Sequence, residues 1–373
     1  MRAKKMIQWV MTATLACGMG LISSCSVNDN PADTPTEPGA ELRAKLQSLD
    51  WGDDTCYVYG HKTPDVDAVT SALTYAHLMR ALGYNCEAKV SSAVNRETEY
   101  IAAFFGFELP ELKSSVAPQT RLILTDHADY MQCVDGAREA IILQVIDHHE
   151  EGELSSNGVP FVRRELAGST NTIIFQMYRE LGIAIDDETA RLMLAGIVSD
   201  TRNLKKTSTC AVDSVAWEAL TAQLGISPDS MAVISSYMSD ADNDLSGMTD
   251  KEIFLSDFKG YEYNGCLYGM ASLNCKAKKM DDFIKRMLAV MPGVLEEKGL
   301  DMVFAKIDNE IPNPDPDDPD RNIDAGTYLL FYGVGAREVA ETIIGPSLRE
   351  GVVFSEQKLS RREIVPLIQQ QLK

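Results

Sequence analysis

Cys56-Tyr57-Val58-Tyr59-Gly60-His61-Lys62-Thr63-Pro64-Asp65-Val66-Asp67 opens as a short apolar run, breaks at a glycine, and sets one histidine and two aspartates ahead of a helical pattern. Cys56–Gly60 reads as a strand. From Asp67 to Leu82 the apolar positions Val69, Ala72, Leu73, Ala76, Met79 and Leu82 recur at helical spacing. Downstream, Arg121–Asp126 (RLILTD) and Ile141–Asp147 (IILQVID) are continuous apolar runs ending in aspartate, the pattern of strands buried on both faces. Helical segments follow at about 169–181, 188–198 and 212–224. This alternation predicts an α/β fold built on a parallel sheet with helices on both faces.

In such sheets ligands bind beyond the carboxyl ends of the strands. Three motifs fall there: Gly60–Asp67, Thr125-Asp126-His127 and Asp147-His148-His149. A fourth, Ser199-Asp200-Thr201, follows a helical segment that can deliver it to the same crevice. Of five histidines, four (His61, His127, His148, His149) lie in these motifs; His77, on the first helix, reads as structural or surface. One aspartate after a strand is commonly a helix N-cap, and Asp67 fits that role alone. The joint pattern is different. Four carboxylates (Asp65, Asp67, Asp126, Asp200) and two imidazoles (His61, His148) are too many for one tetrahedral zinc and suit two octahedral divalent ions.

Beyond Ser239–Ser246 (SDADNDLS), which reads as a linker, lies a second α/β unit. Its strand candidates are 266–273, 301–307, 327–333 and 352–355, and its helix candidates 278–290, 336–344 and 360–371. Between Asp308 and Asp324 a Pro- and Asp-rich stretch reads as a solvated insertion; it lacks the Gly and Glu spacing of a calcium loop. The expected organisation is thus a targeting segment over 1–25, a flexible tether over 26–50, a first domain over 51–238, a linker over 239–246 and a second domain over 247–373.

The N-terminal reading rests on Arg2, Lys4 and Lys5 followed by a mostly apolar stretch from Met6 to Leu21. Leu21-Ile22-Ser23-Ser24-Cys25 then resembles a bacterial lipobox, with Cys25 as the lipidated residue. That pattern implies a lipid-anchored protein of the bacterial cell envelope, held at the membrane by its anchor alone. The polar, Pro-rich residues 26–40 suit a tether. Cys56, Cys86, Cys133, Cys210, Cys266 and Cys275 are dispersed, with no C-x-x-C spacing, and read as buried free thiols. The net charge of −20 argues against a nucleic-acid partner, which is gripped by basic surfaces.

The phrases GHKTPDVDAV, TDHAD, VIDHHE and GIVSDTRNLKKTST resemble, in order and spacing, the motifs of the DHH phosphoesterase superfamily, and most closely those of the manganese-dependent (family II) inorganic pyrophosphatases. The resemblance runs from about residue 55 to the C-terminus. It implies an N-terminal parallel-sheet DHH domain and a smaller C-terminal α/β domain, with the active site in the cleft between them. His61, Asp65 and Asp126 would hold one metal; Asp67, Asp126, His148 and Asp200 would hold a second. Asp147 and His127 would orient these ligands. His149, Lys259, Arg361 and Arg362 would bind the substrate and assist catalysis. The cofactors implied are two divalent ions, Mn2+ preferred, with Co2+ or Mg2+ as substitutes.

Several residues depart from the family pattern. Thr63 replaces an asparagine, Val66 a threonine, Ala128 the asparagine after the D-H pair, and Arg362 a lysine; Arg202 and Asn203 stand where apolar residues are usual. None is an implied metal ligand. The function implied is hydrolysis of pyrophosphate by a metal-activated water. Another phosphoanhydride or phosphoester, such as polyphosphate or a small nucleotide, is the nearest alternative, followed by a lipoprotein that binds metal and phosphate without turnover. A homodimer is among the states the sequence allows.

Overall fold

A computed structural model describes residues 39–156, 158–275, 280–309 and 326–372. The first described element is α1 (Ala40–Gln47). Leu42, Leu46 and Leu49 form one apolar stripe along it and its exit, all buried in the core of the first lobe. This corrects the tether expected over 26–50: from Ala40 onward the chain is folded, while 26–38 lies outside the described residues.

The first lobe continues with β1 (Cys56–Tyr59), α2 (Val66–Ala81), β2 (Cys86–Val90), α3 (Arg96–Phe105), β3 (Glu111–Leu112), β4 (Arg121–Thr125), β5 (Ile141–Asp147), α4 (Glu153–Ser156) and β6 (Phe161–Arg164). The six strands are all parallel, in the order β3-β2-β1-β4-β5-β6. The order reverses between β1 and β4, so the crevice beyond their carboxyl ends is the switch point where such sheets bind ligands. Helices α5 (Thr170–Glu180), α6 (Asp187–Thr201), α7 (Ala211–Leu224) and α8 (Pro228–Asp242) complete the lobe.

Helix α2 lies between the sheet and α5 and α6, with 12 of its 16 residues buried. Fully buried Leu78 and Met79 each contribute about 1.5–3 kcal/mol by leaving water. Alternate strand residues divide the core. Cys56, Val58 and Ile123 face the helices, whereas Tyr59, Leu122 and Leu124 face the other side. There the expectation of helices on both faces is corrected. That side is closed mainly by irregular chain, two 3-10 turns (Tyr130–Gln132 and Ala137–Glu139) and the short α4.

The linker expected over 239–246 is also shifted, because α8 runs through Asp242 and the connection is residues 243–249. The Arg96 guanidinium ties it down, donating to Asp244 O and Ser246 O at 2.5 and 2.6 Å. The second lobe comprises α9 (Asp250–Leu255), β7 (Phe258–Tyr263), β8 (Cys266–Cys275), α10 (Met280–Lys298), β9 (Met302–Asn309), β10 (Thr327–Gly333), α11 (Ala336–Ile343), β11 (Val352–Ser355) and α12 (Arg361–Gln371). Its sheet order is β11-β10-β9-β8-β7, with only β8 and β9 parallel. Helices α9 and α10 cover one face, α11 and α12 the other. Asp308 and Asn309 belong to β9, and the rest of the expected insertion, from 310, lies outside the described residues. The six cysteines from Cys56 onward are free; Cys56, Cys86 and Cys133 are buried as expected, whereas Cys210, Cys266 and Cys275 are partly exposed.

Candidate active site

Gly60 lets β1 pass so close to α2 that a Cβ there would stand 2.4 Å from Ala68 O. The chain then buries His61 and caps α2 with Asp65, whose carboxylate accepts from Ala68 N at 3.0 Å. Asp67, the second residue of the helix, is not the cap. Its fully buried carboxylate accepts from Ser169 Oγ at 2.6 Å, Thr170 N at 2.7 Å and Asn171 Nδ2 at 2.7 Å, all at the N-terminus of α5. A Cβ at Gly196 of α6 would stand 2.3 Å from Asn171 Nδ2 and 2.6 Å from Asp67 Oδ1, so glycine there permits this packing.

Asp126 follows β4 with φ 65°, a left-handed conformation uncommon outside glycine that points to a functional constraint. Its N–H donates to Ile146 O at 2.9 Å, and its Oδ1 accepts from Thr170 Oγ1 at 3.0 Å. The carboxylate faces both imidazoles: Oδ2 is 3.3 Å from His61 Nε2 and Oδ1 is 3.1 Å from His148 Nε2. His148 Nε2 also lies 3.3 Å from Asp200 Oδ2 and 3.9 Å from Asp67 Oδ2.

Donor atoms from His61, Asp65 and Asp126 all lie within 4.8 Å of one another, as do those from Asp67, Asp126, His148 and Asp200. Asp126 and His148 form a further such group with His149. His61 supplies a test of fit. Both of its ring nitrogens are buried and neither makes a hydrogen bond, although two carboxylates stand 3.3 Å from Nε2. Buried imidazole nitrogens aimed at carboxylate oxygens suit a divalent ion of borderline-to-hard character. The donor set fits two such ions sharing Asp126.

The charges bear out the crowding. Burial, then Asp126 and Asp200, push the Asp67 carboxyl well above its usual range. Burial lifts Asp200 to about 7 against the pull of Lys206, and with Asp126 lifts Asp147 to about 7. Asp126 moves the other way: the imidazoles of His148 and His61 outweigh its burial and hold it well below the carboxylate range. Burial also depresses His127 to about 3 and, with Arg362, His148 to about 4.

His149 Nδ1 stands 2.8 Å from Asp147 Oδ1, which also accepts from His149 N at 3.1 Å; this pairing assigns the proton to Nδ1. Its Nε2 then presents a lone pair to Lys259 Nζ at 3.3 Å. His127 turns Nδ1 to Thr125 O at 2.9 Å. Across a cleft of about 1360 Å3 stand the cations of the second lobe. Ser360 caps α12 and places Arg361 and Arg362 in its first turn. Arg361 is paired with Asp257 at 2.6 Å. Arg362 reaches into the metal-ligand cluster, 2.7 Å from His148 Nε2 and 3.9 Å from Asp200 Oδ2, and donates to Ala167 O at 3.1 Å.

Of the site residues expected from the sequence, Asp65, His127, Asp147, His149, Asp200, Lys259, Arg361 and Arg362 line the cleft, and His61, Asp67, Asp126 and His148 are buried against them. Sequence reasoning missed Ser169, Thr170 and Asn171, which hold Asp67 and Asp126. Their signal was present as Ser-Thr-Asn opening a helical segment, but that reads equally as an ordinary N-cap. Of the departures, Thr63 donates to Phe258 O at 2.8 Å and so links the lobes, while Val66 and Ala128 are buried.

The fold and this cluster define a phosphoesterase of the DHH type. Residues 55–197 match the DHH family, N-terminal domain, and residues 236–371 match the DHHA2 domain. A manganese-dependent inorganic pyrophosphatase of Methanothrix thermoacetophila is 32% identical over 328 residues, which is 86% of this chain and 99% of that protein. A Clostridium acetobutylicum protein, provisionally given the same name, is 31% identical over 84% of this chain and 97% of its own length. The crystal structure of a Methanococcus jannaschii protein assigned to the family II inorganic pyrophosphatases superposes with a TM-score of 0.72 at 25% identity, covering 84% of this chain and 98% of that one. The chain belongs to the family of manganese-dependent inorganic pyrophosphatases.

Proposed function

We propose that this chain hydrolyses inorganic pyrophosphate to two phosphates, using two divalent cations with Mn2+ preferred over Co2+ or Mg2+. One observation carries the reading: the Asp126 carboxylate faces His61 and His148 with its two oxygens, and Lys259, Arg361 and Arg362 line the same cleft. His61, Asp65 and Asp126 would hold one ion, and Asp67, Asp126, His148 and Asp200 the other. Bound there, the ions would supply Lewis acidity toward phosphoryl oxygens and lower the pKa of water near neutrality.

The chain's own residues do the rest. Lys259 and Arg361 place positive charge where the leaving phosphate departs, and Arg362 spans from that side to the metal ligands. Water oxygen bonds to one phosphorus, the bond from that phosphorus to the bridging oxygen breaks, and the departing phosphate retains the bridging oxygen. With its proton on Nδ1, His149 offers Nε2 as an acceptor held by Lys259, so the Lys259 ammonium rather than neutral His149 donates toward the leaving oxygen. Asp147 keeps the ring in that orientation.

The test is phosphate release by the purified protein from pyrophosphate, polyphosphate and a nucleotide, each with Mn2+ and with Mg2+. Rapid, Mn2+-favoured release from pyrophosphate is expected; none from any substrate sinks the hydrolase reading. The proposal extends to location. Cys25 within Leu21–Cys25 would carry a lipid and anchor the enzyme to a membrane of the bacterial cell envelope. Cys25→Ser should then move the protein from the membrane to the soluble fraction, and an unchanged membrane fraction would refute the anchor. A homodimer is compatible with a site that draws every named residue from one chain.

A further inference from the structure

We propose that Cys56 and Cys86 become joined by a disulfide when the chain folds in the presence of a disulfide oxidant, a modification site independent of the pyrophosphatase reading. The two residues open neighbouring strands: Cys56 is the first residue of β1 and Cys86 the first of β2. The strands are parallel, and their register sets Cys56 directly beside Cys86, with Tyr57 beside Glu87 and Val58 beside Ala88. Cys56 N donates to Asn85 O at 2.9 Å, which fixes the pairing at its first rung. Neighbouring strands run about 4.8 Å apart, inside the roughly 4.4–6.8 Å between Cα atoms that a disulfide spans.

Register alone would not suffice if the side chains diverged. They do not: both belong to the core between the sheet and its helices, 1% and 0% exposed. The Cys86 side chain is also the main influence on the Cys56 thiol. A hydrogen bond between the two, ahead of burial, raises that thiol far above its usual range. Sulfur atoms already in contact can reach bonding distance by side-chain rotation, without a shift of the strands. Among the described residues the strand register pairs no other two cysteines. Cys133 belongs to the core on the other face of the sheet, Cys210 caps α7, and Cys266 and Cys275 stand at the two ends of β8 in the second lobe.

The chemistry is thiol–disulfide exchange. One cysteine thiolate attacks the oxidant's disulfide, forming a mixed disulfide and expelling one oxidant thiol. The second cysteine thiolate attacks the first cysteine's sulfur in that mixed disulfide and expels the other oxidant thiol. The pair loses two hydrogens and two electrons, and the oxidant carries both away as two thiols. The thiolate is the reacting form, and burial opposes it in the finished fold. The bond therefore forms before the core closes over β1 and β2, and the same burial then shields it from reductants.

The position of the bond separates it from the active site. It links the amino ends of β1 and β2, whereas His61 and Asp65 follow the carboxyl end of β1. The loop it closes, residues 56–86, carries α2 and the candidate ligands His61, Asp65 and Asp67. A cross-link around a loop of that length restricts the unfolded chain, and here it does so without entering the cleft. The cell-envelope location proposed above would bring the chain to an oxidising compartment, where such bonds persist.

In the test, the full chain is reduced and unfolded, then refolded in a mixture of reduced and oxidised glutathione. Remaining thiols are blocked with iodoacetamide in denaturant, and the unreduced digest is mapped by mass. The expected result is a cross-linked species joining the Cys56 and Cys86 peptides, two hydrogens lighter than their sum, that separates on reduction and is missing from Cys86→Ala. Full alkylation of Cys56 and Cys86 before reduction overturns the proposal, as does cross-linking of either one mainly to another cysteine. The same mapping on full chain recovered from a bacterial envelope fraction, blocked at lysis, needs no refolding. A joined pair there supports the bond, and a free pair there overturns it.

Discussion

The two walls of the cleft are built by opposite means. The first lobe supplies carboxylates and imidazoles that are mostly buried, set at the ends of parallel strands or on α2 and α6, and held by other side chains. The second lobe supplies cations from the start of α12 and from the edge strand β7: Arg361 is paired with Asp257, Lys259 stands against His149, and Arg362 reaches His148 and Asp200. The difference assigns tasks. A buried, heavily hydrogen-bonded wall fixes positions, as metal ligation demands. A wall of long cationic side chains can follow a substrate whose charge changes as a bond breaks. Damage to the first wall should therefore be severe and show in metal binding, and damage to the second graded and show in KM and kcat.

The largest effect is expected at Asp126, among the described residues the one carboxylate that faces both imidazoles. Asp126→Asn should lower kcat/KM for pyrophosphate about a thousandfold or more, several kcal/mol of transition-state stabilisation. A loss under tenfold would break the comparison. Next comes Asn171→Ala, which touches no expected metal yet removes the donors to Asp67 and Thr70 at 2.7 and 2.8 Å. A metal affinity reduced about 10- to 100-fold, read by titration, is expected from the loss of such support. An unchanged affinity would mean the α5 N-terminus only packs.

On the cationic wall, Arg362→Ala should lower kcat/KM about 10- to 100-fold, with Arg362→Lys retaining more because it keeps the charge while losing the planar fork. Full activity in the alanine variant would remove Arg362 from the site. The smallest effect is expected from Arg96→Ala. That side chain pairs with Asp244 at 2.9 Å but is substantially exposed, and such pairs contribute about 0–1 kcal/mol. A change in KM beyond about fivefold, more than ~1 kcal/mol, would show the connection at 243–249 to control the cleft.

The same contrast explains what the sequence reveals. The acidic wall is legible because its residues end sharply apolar strands and absorb four of five histidines. What holds that wall is not, since Ser169–Asn171 are small polar residues at a helix start and act through contacts more than 100 residues away in the chain. Helix α1 is hidden for a related reason: three leucines beside a Pro-rich stretch carry too little pattern, and only burial in the first core makes them a helix. The covering of the second sheet face by 3-10 turns leaves no periodic signal at all. The left-handed turn at Arg202, Asn203 and Leu204 is invisible because none of its residues is glycine.

Metal content tests the central claim most directly. Purified wild-type protein equilibrated with Mn2+ and freed of excess should retain about two ions per chain, the number that the shared Asp126 carboxylate implies. Asp126→Asn should retain clearly fewer under the same conditions. Two ions still bound in that variant, or no retained metal in the wild type, would contradict a two-ion centre bridged by Asp126.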